Sequence, residues 1–165
     1  MLYLSAELSF VLTYSPMSDY IGFMQNEPEM IIHLIARVRE KANRFITAEL
    51  EKREMGGLKP VHGDVLFALF RYGNLSMKQI AEIVDRKKST VTTLVEKIIK
   101  AGYAGKNIDD NDNRVFIISL TDKGRGLKDD LIDISDKMIK KVYKDMPSEE
   151  RVQLVSSLAK INDNW

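Results

Sequence analysis

The spacing of apolar residues changes abruptly in the middle of this 165-residue chain, and that change limits which folds the chain can adopt. Residues 77–84 and 88–101 repeat apolar side chains every three or four positions, which predicts two short helices. After Gly102, residues 115–120 form a β-branched and aromatic run that predicts a strand, and residues 103–106 can supply the opposing strand of a hairpin. Two short helices, a tight turn between them and a following hairpin are the layout of a winged helix-turn-helix.

Two helices are predicted before this segment. The first begins at Glu29, keeps apolar residues on one face, and ends at Gly56. The second follows Pro60 and stops near Gly73, where a turn is predicted. Its inward-facing side chains are expected to be Val61, Val65, Leu66 and Leu69.

Two more helices are predicted after the hairpin. The hydroxyl of Thr121 can cap the first of them, and Pro147 breaks it before the last helix begins. The predicted fold is therefore mainly α-helical. It combines a winged helix-turn-helix lobe with a two-stranded wing over residues 58–120, and flanking helices over residues 29–56 and 121–165.

Composition argues against several classes of protein. The chain has no cysteine, which excludes disulfides, zinc–thiolate sites and thiol-based sensing. No apolar run approaches the ~20 residues of a membrane helix, and the apolar N-terminus lacks the positive region of a signal peptide. No nucleophile elbow, phosphate loop or metal-ligand spacing is present. We expect a cytoplasmic protein that is not an enzyme and carries no cofactor and no metal.

Charge is distributed unevenly along a chain whose net charge is only +1. The stretch Ser76–Lys128 holds eleven Lys and Arg against seven Asp and Glu, a net +4, and the remainder carries −3. Such an asymmetry favours contact with a polyanion.

The predicted helix at residues 88–101 has two different faces. Its apolar residues cluster on one side, whereas hydroxyl and lysine side chains suited to base edges and phosphates occupy the other side and the helix start. The candidate DNA-binding residues are Lys87, Lys88, Ser89, Thr90, Thr92, Thr93 and Lys97. Glu96 lies on the same side, where it can accept a hydrogen bond from cytosine or pair with Lys100. A solvated surface helix has the same pattern, so both interpretations stay open at this point.

The turn before the predicted strand contains Arg114 among Asp and Asn residues. An arginine at a wing tip can enter a narrow minor groove, and Asp112 can hold its side chain in place. An ordinary solvated turn, with a surface ion pair worth less than about 1 kcal/mol, explains the same residues.

A long stretch of the sequence resembles the MarR family of transcription regulators. The string KSTVTTLVEKI, from Lys88 to Ile98, is similar to that family's recognition helix. The pattern Asp109-x-x-Asp112-x-Arg114, followed by the strand and by Leu120-Thr121-x-x-Gly124, is similar to its wing. The resemblance extends from about Glu29 to the end of the chain.

The resemblance implies a sequence-specific regulator of double-stranded DNA. It implies an obligate homodimer whose dimerisation helices are the first and the last two, with Arg114 in the minor groove and Asp112 orienting it. It further implies a repressor released from its operator by a small anionic or aromatic effector. The possible polar residues of the effector pocket are Arg37, Arg44, His62 and Tyr72. The alternative is a winged-helix interaction or architectural DNA-binding module without ligand control.

The sequence departs from this family at the turn before the recognition helix. Asp85 and Arg86 stand where the family usually has glycine and an apolar residue, and Lys87 stands where serine is common. Thr93 occupies a position that is often basic. The extra cations favour phosphate binding over base reading.

Dimerisation is also expected on physical grounds. The apolar stripes of the first helix and the last two are larger than a small helical head can cover. A two-fold dimer would place the recognition helices about 34 Å apart and would select a pseudo-palindromic operator. We expect the apolar residues 1–28 to form an ordered arm at the dimer interface.

The chain has two histidines, His33 and His62, and neither has cysteine or carboxylates at ligand spacing. A core or capping role is favoured over metal binding or pH sensing for both.

Overall fold

The computed structural model of the chain describes residues 28–109 and 112–164. The chain divides into two compact units, residues 1–42 and 43–165. In the first unit, the 3₁₀ turn Pro28–Met30 leads into helix α1, Ile31–Lys52, which continues into the second unit. Ile31, Ile32, Ile35 and Val38 on this part of α1 are exposed. The predicted arm at residues 1–28 lies, except for Pro28, outside the described residues.

The second unit contains the elements that the sequence predicts for a winged helix-turn-helix. After α1, the 3₁₀ turn Pro60–His62 leads directly into the next helix. The following elements are α2 (Gly63–Tyr72), β1 (Leu75–Ser76), α3 (Met77–Ile83), α4 (Lys88–Lys100), β2 (Ala104–Ile108), β3 (Phe116–Leu120), α5 (Asp122–Arg125), α6 (Lys128–Val142) and α7 (Ser148–Asn162). The mainly helical fold class is thereby confirmed.

The wing is part of a three-stranded antiparallel sheet in the order β1-β3-β2. Strands β2 and β3 form the predicted hairpin, in which Lys106 pairs with Ile118. The two-residue strand β1 was not predicted, and it pairs Leu75 with Ile118 on the other side of β3. Ser76 then caps α3 by accepting a hydrogen bond from the Gln79 backbone N–H at 3.3 Å. The turn that starts the helix-turn-helix is therefore fixed to the sheet.

The core of the second unit lies between α2, α3, α4 and the sheet. Its fully buried side chains include Leu66, Leu69, Ile80, Val91, Val95, Ile98 and Ile118. The predicted inward face of α4 is confirmed, because Val91, Leu94, Val95 and Ile98 are all buried. The prediction that Val61 faces inward is wrong. Val61 is 38% exposed because it lies in the 3₁₀ turn before α2 and does not share the face of that helix.

The chain after the wing forms two helices where the sequence predicted one. Thr121 caps α5 as expected, since its Oγ1 accepts a hydrogen bond from the Gly124 backbone N–H at 3.0 Å. Helix α5 ends at Arg125, and α6 begins at Lys128 after a break. Thr121 also donates from Oγ1 to the Gly102 carbonyl at 2.7 Å. Helix α5 is thus held against the start of the wing, and Leu131 and Ile134 are buried on the helix that follows.

A cluster of charges fastens the end of α1 to α6. The Arg53 guanidinium contacts Glu49 at 2.8 Å, Asp130 at 3.3 Å and Asp133 at 2.5 Å. Hydrogen bonds from Lys52 and Arg53 hold the pKa of Glu49 at about 2, far below its usual value. Because Glu49 and Arg53 are mostly shielded from water, their attraction is screened less than that of a surface pair.

Gly124→Ala tests the close contact between α5 and the wing. A Cβ at residue 124 would overlap the backbone carbonyl of Tyr103, which cannot move without displacing β2. We expect the free energy of unfolding, measured with urea, to fall by about 1–3 kcal/mol or more.

Gly63→Ala is the matched control within a helix. Among the described residues nothing lies within 4 Å of its added Cβ, and the φ of Gly63 is −55°. This variant should be neutral or more stable by up to about 1 kcal/mol. Equal stabilities of the two variants would contradict the assigned role of Gly124.

Candidate nucleic-acid interface

The outward face of α4 presents the predicted site residues together. Lys87, Lys88, Ser89, Thr90, Thr93 and Lys97 are exposed, and Thr92 is half-buried. Lys87 is the N-cap of the helix and provides no side-chain hydrogen bond to it. The first backbone N–H groups of α4 therefore have no side-chain cap. Together with the neighbouring lysines they create a positive end suited to a phosphate group.

The turn between α3 and α4 has an unusual backbone. Asp85 has a φ of +48°, in the left-handed region that glycine usually occupies. The Arg86 backbone N–H donates to the Ala81 carbonyl at 3.1 Å, which closes the turn. The Arg86 guanidinium lies 3.4 Å from the Asp64 carboxylate at the start of α2. The non-glycine residues at this turn are therefore compatible with a tight helix-turn-helix.

Two hydroxyl groups of α4 are already engaged as donors. Thr92 Oγ1 donates to the Lys88 carbonyl at 2.9 Å, and Thr93 Oγ1 donates to the Ser89 carbonyl at 3.3 Å. A hydroxyl has one proton and two lone pairs, so these oxygens remain available only as acceptors in this arrangement.

The wing tip is organised through the backbone of Arg114. The Asp112 carboxylate accepts a hydrogen bond from the Arg114 backbone N–H at 2.9 Å, and no ion pair joins it to the guanidinium. The Asp112 backbone N–H in turn donates to the Asp109 carboxylate at 3.1 Å. Asp112 therefore shapes the turn that carries Arg114, while the exposed guanidinium is not held by Asp112 itself.

A compact junction joins the end of α4 to the wing. Gly102 has a φ of +79° and ends the helix as predicted. Lys123 Nζ donates to the Ala101 carbonyl at 2.9 Å and lies 4.4 Å from the centre of the Tyr103 ring. Helix α4 and the wing are consequently fixed to each other by contacts that the sequence pattern alone did not reveal.

His62 is buried beside α4. It is 1% exposed, and its Nδ1 accepts a hydrogen bond from the Lys59 backbone N–H at 2.9 Å. Its Nε2 is also buried and has no hydrogen-bond partner among the described residues. Burial, followed by the positive charges of Lys97 and Lys59, lowers the pKa of His62. The capping role favoured for this histidine is therefore observed.

A cavity of about 180 Å³ opens between α1, α2 and α6 in the second unit. Its lining is mainly apolar and includes Leu50, Phe67, Ile134 and Met138, with Lys59, Asp64 and Ser135 as its polar members. Of the residues suggested for an effector pocket, Arg44, His62 and Tyr72 do not line this cavity. Tyr72 is exposed at the end of α2, and Arg37 belongs to the first unit.

The described residues contain neither a cluster of metal-ligating side chains nor a membrane-spanning helix. No group of three or more histidine, aspartate or glutamate side chains there is placed to hold a metal ion. No helix in that part of the chain combines the length and apolar character needed to span a membrane.

Comparison with known families confirms the resemblance seen in the sequence. The family model of the MarR family matches residues 58–116. The Bacillus subtilis HTH-type regulator YwhA is 22% identical over 82% of this chain and 94% of its own length. The B. subtilis HTH-type transcriptional repressor MdtR is 33% identical over 46% of this chain. That match spans only 48%, about half, of the length of MdtR.

Solved structures share the fold at low sequence identity. The Staphylococcus aureus MepR–DNA complex superposes with a TM-score of 0.73 at 22% identity, covering 81% of this chain and 96% of MepR. Bordetella bronchiseptica BpsR, whose DNA binding is regulated by 6-hydroxynicotinic acid, superposes with a TM-score of 0.69 at 20% identity. The match covers 81% of this chain and 98% of BpsR. The winged helix-turn-helix architecture with its flanking helices is thus common to these proteins.

The pH dependence of stability tests the environment of His62. Because its pKa is lower in the folded chain than the ordinary value of about 6.5, the unfolded chain takes up the proton first as the pH falls. We expect the free energy of unfolding, measured with urea, to decrease between pH 7 and pH 5. His62→Gln should remove this decrease.

His33→Gln, at the other histidine of the sequence, is the matched control and should retain the decrease. The window above pH 5 avoids the protonation of Glu49 and Asp133, whose lowered pKa values affect stability at more acidic pH. An unchanged pH profile in His62→Gln would contradict the burial of a neutral imidazole.

Proposed function

We propose that the chain, whose residues 58–116 match the model of the MarR family, is a homodimeric transcription regulator that binds double-stranded DNA at a pseudo-palindromic site. The observation that carries this proposal is the outward face of α4. It combines hydroxyl groups for base edges with Lys87, Lys88 and Lys97 for phosphates, while its opposite face is buried in the core. A helix fixed in this way can enter a major groove without being reorganised.

The wing supplies a second contact with DNA in this proposal. The exposed guanidinium of Arg114 enters the minor groove beside the major groove that α4 occupies. Asp112 assists by fixing the backbone of the turn, since its carboxylate accepts the Arg114 backbone N–H. Removal of Asp112 should therefore weaken binding indirectly, through a less ordered turn.

Exposed apolar surface supports a homodimer formed by the helices within residues 29–56 and 121–165. No residue of α7 is buried, and even its apolar side chains Val152 and Val155 are 71% and 54% exposed. On α6, Ile139 and Val142 are 45% and 43% exposed. A two-fold interface that covers such residues would set the two copies of α4 about 34 Å apart, one turn of DNA.

We assign the regulatory part of the function to the cavity between α1, α2 and α6. It is concave and mainly apolar, as small-molecule sites usually are, and the Lys59 ammonium can receive an anionic group. Lys59 and Pro60 line the cavity, and the adjoining His62 is buried beside Lys97 of α4. An anionic or aromatic effector bound there would favour a conformation in which α4 no longer fits its operator, so the protein would act as a repressor.

Fluorescence anisotropy with DNA from the region upstream of the protein's own gene tests DNA binding. We expect a pseudo-palindromic site in this region to bind at least about 10³-fold more tightly than unrelated DNA. Lys88→Ala should weaken binding to both DNAs similarly and lower the slope of log affinity against log salt by about 1.

Lys160→Ala, which removes a cation from α7, is the matched control and should leave affinity and slope unchanged. Equal affinity of the wild-type protein for all DNAs would refute sequence-specific regulation and favour an architectural module.

Filling the cavity tests ligand control. Single-ring aromatic carboxylates, beginning with benzoate, should raise the Tm of the wild-type protein and release it from DNA. Ser135→Phe should abolish both effects because the phenyl ring occupies the cavity, whereas Ser135→Ala should retain them. If no compound in such a panel changes Tm or DNA affinity, control by this ligand class is excluded and the module without ligand control is favoured.

A further inference from the structure

We propose that Glu96 makes this protein select a cytosine in each half-site of its operator, with Thr93 accepting from a second base amino group. The inference rests on the DNA-binding function proposed above and adds a base preference to it. It assigns to Glu96 a role as a specificity-determining residue.

The position of Glu96 on α4 follows from the buried face of the helix. Val91, Leu94, Val95 and Ile98 point into the core. At about 100° per residue, the opposite side carries Ser89, Thr93, Glu96 and Lys100. All four are exposed. Glu96 therefore lies at the centre of the surface that a major groove would meet, and not at its edge.

Among the described residues, the Glu96 carboxylate has no hydrogen-bonding or ion-pair partner. It forms no ion pair or side-chain hydrogen bond with any described residue, although Lys97 and Lys100 are its neighbours on the same helix. The alternative that Glu96 pairs with Lys100 is therefore not observed. An ionised carboxylate only accepts hydrogen bonds, so its partner on DNA must be a donor.

The major groove offers few donors to such a group. Cytosine presents its N4 amino group and adenine its N6 amino group, whereas guanine presents only the acceptors N7 and O6. A carboxylate facing guanine or a phosphate would be repelled, while cytosine gives it a charge-assisted hydrogen bond. Adenine is less suitable, since its N7 acceptor lies beside the amino group and repels the second carboxylate oxygen.

Thr93 strengthens this preference for amino donors. Its hydroxyl proton is directed to the Ser89 carbonyl, at 3.3 Å, so its oxygen faces the groove as an acceptor. Two acceptors one turn apart on the exposed face then require amino groups at two positions of the half-site. The lysines at the start of the helix remain available for phosphates.

In vitro selection from random double-stranded DNA tests the inference on the full-length protein. We expect the wild-type motif to contain cytosine at a position that depends on Glu96, preferred over other bases by about 5- to 100-fold. Glu96→Ala should lose the preference at that position alone. Glu96→Gln should shift it towards adenine, because an amide can pair with both N6 and N7.

Glu82→Gln is the matched control, since Glu82 is an exposed carboxylate on α3 that lies 3.8 Å from Lys78. This variant should select the wild-type motif, and circular dichroism verifies that every variant is folded. If both Glu96 variants select the wild-type motif, the inference is overturned while the proposed function stands. If the wild-type protein selects no motif, the proposed function fails and the inference fails with it.

Discussion

The burial of one face of α4 is the constraint on which the structure of the second unit depends. Val91 and Ile98 are almost completely inaccessible and pack in one core with Leu66 of α2 and Ile118 of the sheet. Since this core fixes the rotation of α4 about its axis, it also decides which side chains face outward. A polar residue introduced at a buried position would therefore disturb the fold and the interface together, whereas the outward residues can change base preference without loss of the core.

The junction at the end of α4 determines how the wing follows the helix. Gly102 ends the helix with a backbone conformation in the left-handed region. The Thr121 hydroxyl donates a hydrogen bond to the Gly102 carbonyl, and Gly124 lies against the Tyr103 backbone. These contacts make α4, the hairpin and α5 a connected unit. A helix in a major groove and a wing in the adjacent minor groove require such a fixed relation, because flexibility between them would cost entropy on binding.

The sequence predicted those features that local patterns encode. The 3.6-residue spacing located α4 to within one residue, and the cap at Thr121 and the turn at Gly102 follow from their residue types. The two-residue strand β1 is too short to produce a period, and the break before Lys128 is hidden because residues 121–126 contain no apolar side chain that could mark it. The Arg53 cluster joins residues about eighty positions apart, a distance that no local pattern records. The cavity is likewise lined by residues that are far apart in the sequence. Its lining therefore differs from the polar residues that the sequence suggested for an effector pocket.

Methylation interference tests most directly whether α4 occupies a major groove and the wing an adjacent minor groove. Methyl groups at guanine N7 obstruct the major groove, and methyl groups at adenine N3 obstruct the minor groove. We expect two clusters of major-groove interference about 10 base pairs apart, related by two-fold symmetry, with minor-groove interference beside each. Binding that is unaffected by methylation at any position would contradict this placement.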